Sequence, residues 1–344
     1  MKATRAVRII TSLSLGVVVL ASVSWLGLGH VSGKIARISV FAGLDNRPEK
    51  TSKALNYLLV GSDTREGLTK EQMKALRVGS TKTAAGGRSD TMLLVHISKA
   101  RDKAYLVSLP RDTLVTIPAH TSTDGKSQIP DRQNKLNAAF AFGGAPLLIQ
   151  TVEGATNLKI DHYIEVSFAG FAGIVDALGG VDVCTKVDID DPKSHLVLAA
   201  GTHTLGGIEA LKYVRTRDFD GRGDIGRMQR QQQFMSSVIK KATSTGVLLN
   251  PIKIVNFMNA AISTIKMDEN LSEGDLLNLA KQMRGLSSGN VRTLTVPLSN
   301  ANGSVPGIGS VVIWDEQLSA DLWTRIRDDA ALVDEVTPSP SASS

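Results

Sequence analysis

Five apolar runs rich in β-branched and aromatic residues punctuate the middle of this chain: Leu55–Val60, Met92–Ile97, Ala104–Leu109, Tyr163–Phe168 and Val291–Val296, with a shorter one at Gly180–Val183. Helical patterns fill the intervals at Ala138–Asn157, Phe168–Leu178, Gly206–Val214, Arg227–Thr243, Pro251–Ile265, Ser272–Leu286 and Asp315–Arg327. Apolar strands alternating with helices need a sheet covered on both faces, so the predicted fold is α/β, a three-layer α-β-α sandwich. Only Ser98–Lys103 joins the Met92 and Ala104 runs, a link short enough for an antiparallel hairpin, so the central sheet is expected to be mixed. Trp314, Leu318, Leu322 and Ile326 recur at intervals of four and are expected to pack into the core.

No internal repeat and no long linker divides residues 54–330, which read as one domain. Ahead of it, residues 1–8 carry Lys2, Arg5 and Arg8, and residues 9–28 are apolar and uncharged. About 20 such residues suffice to cross a bilayer once. The basic flank predicts a cytoplasmic N-terminus with the rest of the chain outside. A cleaved signal peptide is the rival reading, given the small residues Ala21 to Ser24, but the apolar stretch is long for one. Residues 29–53 read as a polar juxtamembrane spacer, and residues 331–344, rich in Ser and Pro, as a disordered tail.

Hydrophobic residues make up 42% of the chain and charged residues 21%, ordinary values that allow a full core. Cys184 is the single cysteine, which excludes an intramolecular disulfide and a cysteine metal cluster. It is expected to be a small buried residue. The net charge of +6 favours anionic partners. Six basic residues lie between Lys212 and Arg230, against Asp218, Asp220 and Asp224. Such focusing, without an aromatic-interleaved stripe, argues against nucleic acid as the partner.

Within that stretch Arg227, Arg230 and Gln231 fall on one face of the first turn of a helix. Cations there oppose the helix dipole, and a multiply charged anion at the same place would reverse that cost. An anion site and a surface Arg–Asp network are both open readings of these residues. Three strand ends also carry charge: Asp63 after one, Arg88 and Asp90 before another, Arg111 and Asp112 after a third. Taken singly, each Asp suits a turn or cap. Taken together, two loop carboxylates beside arginines suit Mg2+ and a diphosphate.

Two motif matches do not hold. Gly221 to Gly226 fits G-x-G-x-x-G but follows a charged helical stretch in place of a buried strand. Gly285 to Gly289 fits G-x-S-x-G but runs from helix to strand, so Ser287 is not read as a nucleophile. The six histidines lack zinc-ligand spacing. Asp188, Asp190 and Asp191 read as a solvated acidic loop.

The strings LNYLLVGSDTR, GGRSDTMLLVHI, AYLVSLPRDT, KLNAAFAFGG, IDHYIEVSFAGFAGIVDALGGVDV, GTHTLGGIEALKYVRTR and DIGRMQRQQQ stand in the order seen in the LytR–CpsA–Psr family of cell-wall ligases, which this chain resembles. The resemblance is continuous from Leu55 to Gln233 and looser to Leu322. It departs at Ser167, where relatives often carry an acidic or amide residue, and shows nothing like the extra C-terminal domain some relatives append.

The resemblance implies a membrane-anchored transferase that moves a phosphate-linked glycopolymer from a polyprenyl-diphosphate carrier to a peptidoglycan hydroxyl, releasing polyprenyl phosphate. It implies that Asp63 and Asp90 hold Mg2+, or Mn2+ in its place. Arg111, Arg215 and Arg217 would act on the transferred phosphate, and Arg88, Lys135, Arg227 and Gln231 would bind the diphosphate. The helices after Lys135 and Arg227 would line a pocket for the isoprenoid tail. Arg222 and Arg230 are expected to be peripheral. Asp112 and Asp224 are both placed to take the acceptor's proton, and neither is assigned. A diphosphate hydrolase and a non-catalytic polyprenyl-phosphate binder are the alternatives. Teichoic acid, capsule, arabinogalactan and protein-linked glycans all fit as the glycopolymer, because the handle these residues read is common to all.

Overall fold

Residues 36–65, 67–78, 89–216, 226–227, 230–231, 233–235, 237–238, 241, 265–282 and 290–332 are described by the computed structural model. Seven strands form the central sheet: β1 (Ala36–Ile38), β2 (Leu55–Ser62), β3 (Ser89–Ile97), β4 (Ala104–Leu109), β5 (His162–Val166), β6 (Ile265–Asp268) and β7 (Val291–Thr295). Their spatial order is β1-β6-β5-β2-β3-β4-β7. The pairs β1–β6, β5–β2 and β4–β7 are parallel, and β6–β5, β2–β3 and β3–β4 antiparallel. The mixed sheet and the hairpin of β3 with β4 follow the sequence expectation.

The helices are α1 (Lys70–Ala75), α2 (Leu136–Thr156), α3 (Phe168–Ala177), α4 (Gly207–Arg215), α5 (Glu273–Gln282) and α6 (Glu316–Arg327). One face of the sheet buries Leu58, Val60, Leu94 and Val107 against α2 and α6. The other face turns Tyr57, Leu59, Leu93 and Val95 toward Ile174 of α3, Leu279 of α5 and Met235. Both faces are therefore covered, which is why these strands read as largely apolar runs. Each such side chain, fully buried, contributes roughly 1.5–3 kcal/mol.

Several expectations change. Ala36–Ile38 lies in the stretch read as spacer, yet it pairs with β6 at the sheet edge, and Val40 is fully buried. Its strand is short and mostly exposed, and Arg37 anchors it by donating to the carbonyls of Asp268 and Leu271, so no apolar run announced it. Ile265, read as the end of a helix, opens β6; residues 251–264 lie outside the described set. The described positions between 226 and 241 are all helical.

Leu318 is exposed, while Leu322 and Ile326 are buried with Ser319 and Trp323. A stripe of every fourth residue drifts by about 40° per step on an α-helix, which carries Leu318 off the core face. Cys184 is also exposed, because Val181, Val183 and Thr185 take the inward side of their strand and alternation turns the cysteine out. In the acidic loop Asp191 is buried, its Oδ1 accepting from the backbone of Lys193 (2.8 Å) and Ser194 (2.7 Å).

Helix α2 is kinked at Gly143 and Gly144, where Gly144 has φ of 64° and Pro146 follows. A proline there has no N–H to continue the ladder, and the positive φ suits glycine. Among the described residues no helix is long and apolar enough to cross a membrane, and the anchor read at residues 9–28 lies outside them.

Helices α3 and α4 cross in near backbone contact at Gly207, where a Cβ would stand 2.3 Å from the Ala172 carbonyl oxygen. Asp176 seals the crossing by accepting from the Gly207 N–H at 2.7 Å. Gly207→Ala must therefore push the helices apart, at a cost of about 1–3 kcal/mol. Urea unfolding measures this, and an unchanged midpoint would contradict the close crossing.

Candidate functional site

The strand directions gather the charged loops at one end of the sheet. β2, β4, β5 and β7 finish at this end, and β3, antiparallel to its neighbours β2 and β4, begins there. Asp63 follows β2 directly, and Ser62 and Ser89 face each other with almost no exposure. Gly61 pairs with Thr91 and Ser62 with Ser89, so Asp90 is the residue that the register skips. Such a bulge bends its strand and is common beside active sites. Asp63 and Asp90 thus sit on neighbouring strand ends, two hard oxygen donors of the kind Mg2+ takes together with phosphate and water. Among the described residues no group of three or more His, Cys, Asp or Glu is placed to hold a metal.

After β4 the chain makes a tight turn, in which the Thr113 N–H and hydroxyl both donate to the Pro110 carbonyl (3.0 and 2.7 Å). Strands Leu114–Ile117 and Arg132–Lys135 then form a hairpin whose register sets Leu114 opposite Lys135. Lys135 is the N-cap residue of α2 and makes no side-chain cap. The first N–H groups of α2 are satisfied by the turn itself, Leu136 donating to Thr113 (2.8 Å) and Asn137 to Arg111 (2.9 Å). Asp112 links two cations: Oδ2 lies 3.2 Å from Arg111 Nε and Oδ1 lies 3.2 Å from Lys135 Nζ.

The third wall comes from α4, which ends in Arg215. Its guanidinium lies 5.3 Å from the centroid of the Phe168 ring, at the start of α3 just beyond β5. The helix that follows Gly226 is tied to this end of α4. Gln231 donates to the Val214 carbonyl (3.2 Å) and Arg230 Nη2 to the Thr216 carbonyl (2.7 Å). Arg227 and Arg230 are both 7% exposed, and Gln231 is half-buried. One face of this helix therefore turns inward, as the spacing of the three residues predicts. Arg230, expected at the periphery, is a buried tie between helices. Burial pushes the neighbouring Tyr213 hydroxyl up from its usual range, with Arg230 opposing the shift.

The structure brings Asp63, Asp90, Arg111, Lys135 and Arg215 to one end of the sheet, ties Gln231 to the end of α4 and buries Arg227 on the helix that carries Gln231. Arg88, Arg217, Arg222 and Asp224 lie outside the described residues, and of Asp90 only the backbone is described. Ser167 caps α3, its hydroxyl accepting from Gly170 N–H at 3.1 Å. Sequence reasoning missed the Asp112 bridge, the Phe168 ring under Arg215 and the hairpin behind the Arg111 turn. Adjacent Arg111 and Asp112 were the available signal for the first, but Lys135 is 23 positions away from Asp112 and only the fold brings it near.

A family model described as the LytR_cpsA_psr family matches residues 32–327. A probable cell wall biosynthesis protein, LcpB of Corynebacterium glutamicum, is 39% identical over 272 residues, covering 79% of this chain and 61% of that protein. The chain thus spans about three-fifths of that relative's length. The polyisoprenyl-teichoic acid–peptidoglycan teichoic acid transferase TagU of Bacillus anthracis is 31% identical over 261 residues, covering 75% of this chain and 80% of the relative. Among solved structures, TagT bound to LI-WTA superposes with a TM-score of 0.61 at 26% identity, covering 86% of this chain and 100% of that one.

The buried Arg230–Thr216 bond generates its own expectation. Arg230→Gln should lower stability by about 1.5–3 kcal/mol, the usual worth of a hydrogen bond to a charged group. Chemical unfolding measures it, and a wild-type midpoint would return Arg230 to the periphery.

Proposed function

The chain belongs to the LytR–CpsA–Psr family, and on that premise we propose that it transfers a phosphate-linked glycopolymer from a polyprenyl-diphosphate carrier to peptidoglycan. One observation carries this reading: two strand-end carboxylates, Asp63 and the bulged Asp90, share a sheet end with Arg111, Lys135 and Arg215. A diphosphate is the ligand class that takes a divalent cation and several Arg or Lys together. The names of TagU and of TagT bound to LI-WTA, with LcpB in cell wall biosynthesis, point to the same class of glycopolymer and acceptor.

In this reaction an acceptor hydroxyl oxygen bonds to the phosphorus bearing the glycan. The bond from that phosphorus to the bridging oxygen breaks, polyprenyl phosphate leaves with the electron pair, and the hydroxyl proton passes to the departing phosphate or to water. Phosphoryl transfer depends mainly on position and charge neutralisation. Arg111, Arg215 and Arg217 would offset the charge that grows on the departing phosphate, while Arg88, Lys135, Arg227 and Gln231 orient the diphosphate. Asp63 and Asp90 would hold Mg2+, or Mn2+ in its place, which when bound neutralises phosphate charge. The burial of Arg227 strengthens any contact it makes, because an ion pair gains as water is excluded.

We further propose a single-pass protein of the cell membrane, with a cytoplasmic N-terminus and this domain outside. The topology supports it. Ala36 stands level with Lys266, Glu165 and Val60, so the chain enters the sheet at the end that carries Asp63 and Arg111. Residues 29–35 can reach at most about 25 Å, which would keep that end near the bilayer where a lipid-linked donor resides.

Incubating the protein with a polyprenyl-diphosphate oligosaccharide, peptidoglycan and Mg2+ should yield glycan-bearing peptidoglycan, and chelation should abolish the product. Asp90→Ala or Arg217→Ala should lower the rate by about 10²–10³-fold, the usual cost of removing one charge-stabilising group. Free glycan without attachment would identify a hydrolase, and lipid binding without turnover a regulator. The orientation is tested in the full chain carrying Cys184→Ser, reconstituted in vesicles. A fluorophore on Thr64→Cys should be quenched by headgroup nitroxides more strongly than one on Lys103→Cys, at the far end of the sheet. Equal quenching would reject the membrane-facing arrangement.

A further inference from the structure

We propose that Asp112 is a positioning residue that holds Arg111 and Lys135 as a fixed cation pair for the donor diphosphate, and that it is not the base for the acceptor hydroxyl. This rests on the transferase reading above. The observation is the bridge itself, one carboxylate oxygen 3.2 Å from Arg111 Nε and the other 3.2 Å from Lys135 Nζ. Without the carboxylate, two cations from different elements would repel each other and swing apart. With it they stand side by side, and the three groups together carry a net charge of about +1 that still attracts an anion. The bridge takes one donor hydrogen of Arg111, out of about five on an arginine, and holds Lys135 as an ion pair, whose ammonium carries about three donors.

The backbone shows that the carboxylate is built into place. Three successive carbonyls of the turn are all engaged: Arg111 accepts from Asn137 (2.9 Å), Asp112 from Val312 (2.9 Å) and Thr113 from Leu136 (2.8 Å). Trp314 Nε1 reaches the Thr113 hydroxyl at 3.2 Å from behind. Trp314 and Val312 belong to the hairpin of Leu298–Val305 with Gly309–Trp314, so a distant segment braces this turn. A general base must present an oxygen to the acceptor's proton. Here both oxygens of Asp112 are directed at cations.

Net charge and positioning predict opposite outcomes for Asp112→Asn. Removing a negative charge beside an anion site should tighten binding if only the field matters. If Asp112 positions its neighbours, binding should weaken. The measurement is the Kd of the full chain for farnesyl diphosphate with Mg2+, by calorimetry, alongside kcat, KM and their pH profile in the transfer assay. We expect Asp112→Asn to weaken binding by about tenfold, to raise the donor KM similarly and to keep the shape of the pH profile. In an Arg111→Gln, Lys135→Gln background the same substitution should change Kd by less than about twofold, an outcome that a general loss of folding would not give. Tighter or unchanged binding overturns the proposal, as does a loss confined to kcat with one limb of the pH profile gone. If the wild-type protein itself fails to bind farnesyl diphosphate, the transferase reading fails first and separately.

Discussion

β2 is buried on both sides, Leu58 and Val60 against one helical layer and Tyr57 against the other, and each charged group of the site is placed by where this strand stops. Its parallel partner β5 stops beside it, and its antiparallel partner β3 starts there with a bulge. The polar ends of these strands cannot extend into an apolar layer, so they open to water at the rim. That rim is the one place in such a sandwich where carboxylates and guanidinium groups from separate loops can meet at low cost.

Charge at the rim is ordered by backbone as much as by ion pairs. The Arg111 turn is held by the N-terminus of α2 on one side and by the Gly309–Trp314 strand on another, and its neighbour Asp112 sits between two cations. On the opposite wall Arg215 lies at the C-terminus of α4, where a cation suits the helix dipole. Arg230 and Gln231 donate to carbonyls at that same helix end. Arg111, Lys135 and Arg215 are therefore held by the protein's own groups, which would limit the ordering cost of binding the proposed anion.

Much of the fold was legible because β2, β4 and β7 are apolar runs bounded by polar loops, and the register needs only such runs to form. The elements that escaped notice share a cause. β1 is three residues long with two exposed, and β6, Ile265–Asp268, alternates apolar with charged residues beside a helical pattern. Leu318 and Cys184 were misjudged because each lies one step off the buried face of its element, where periodicity alone discriminates weakly. At the site, Asp63, Asp90 and Arg111 stood out as charges at strand ends. Arg230 was expected at the periphery and Arg227 at the diphosphate, yet both are buried on the same helix face, and the bond from Arg230 to the Thr216 carbonyl makes it a tie between helices.

Local pattern was enough to determine the layer architecture, the mixed sheet and the identity of the charged strand ends, because burial and turn chemistry are written in nearby residues. Tertiary structure alone decided which charges meet. Lys135 reaches Asp112 because the hairpin of Leu114–Ile117 with Arg132–Lys135 folds back, and Trp314 reaches Thr113 across 201 positions of sequence. Contacts between residues so far apart depend on strand order and crossing geometry, and no short stretch of chain encodes either.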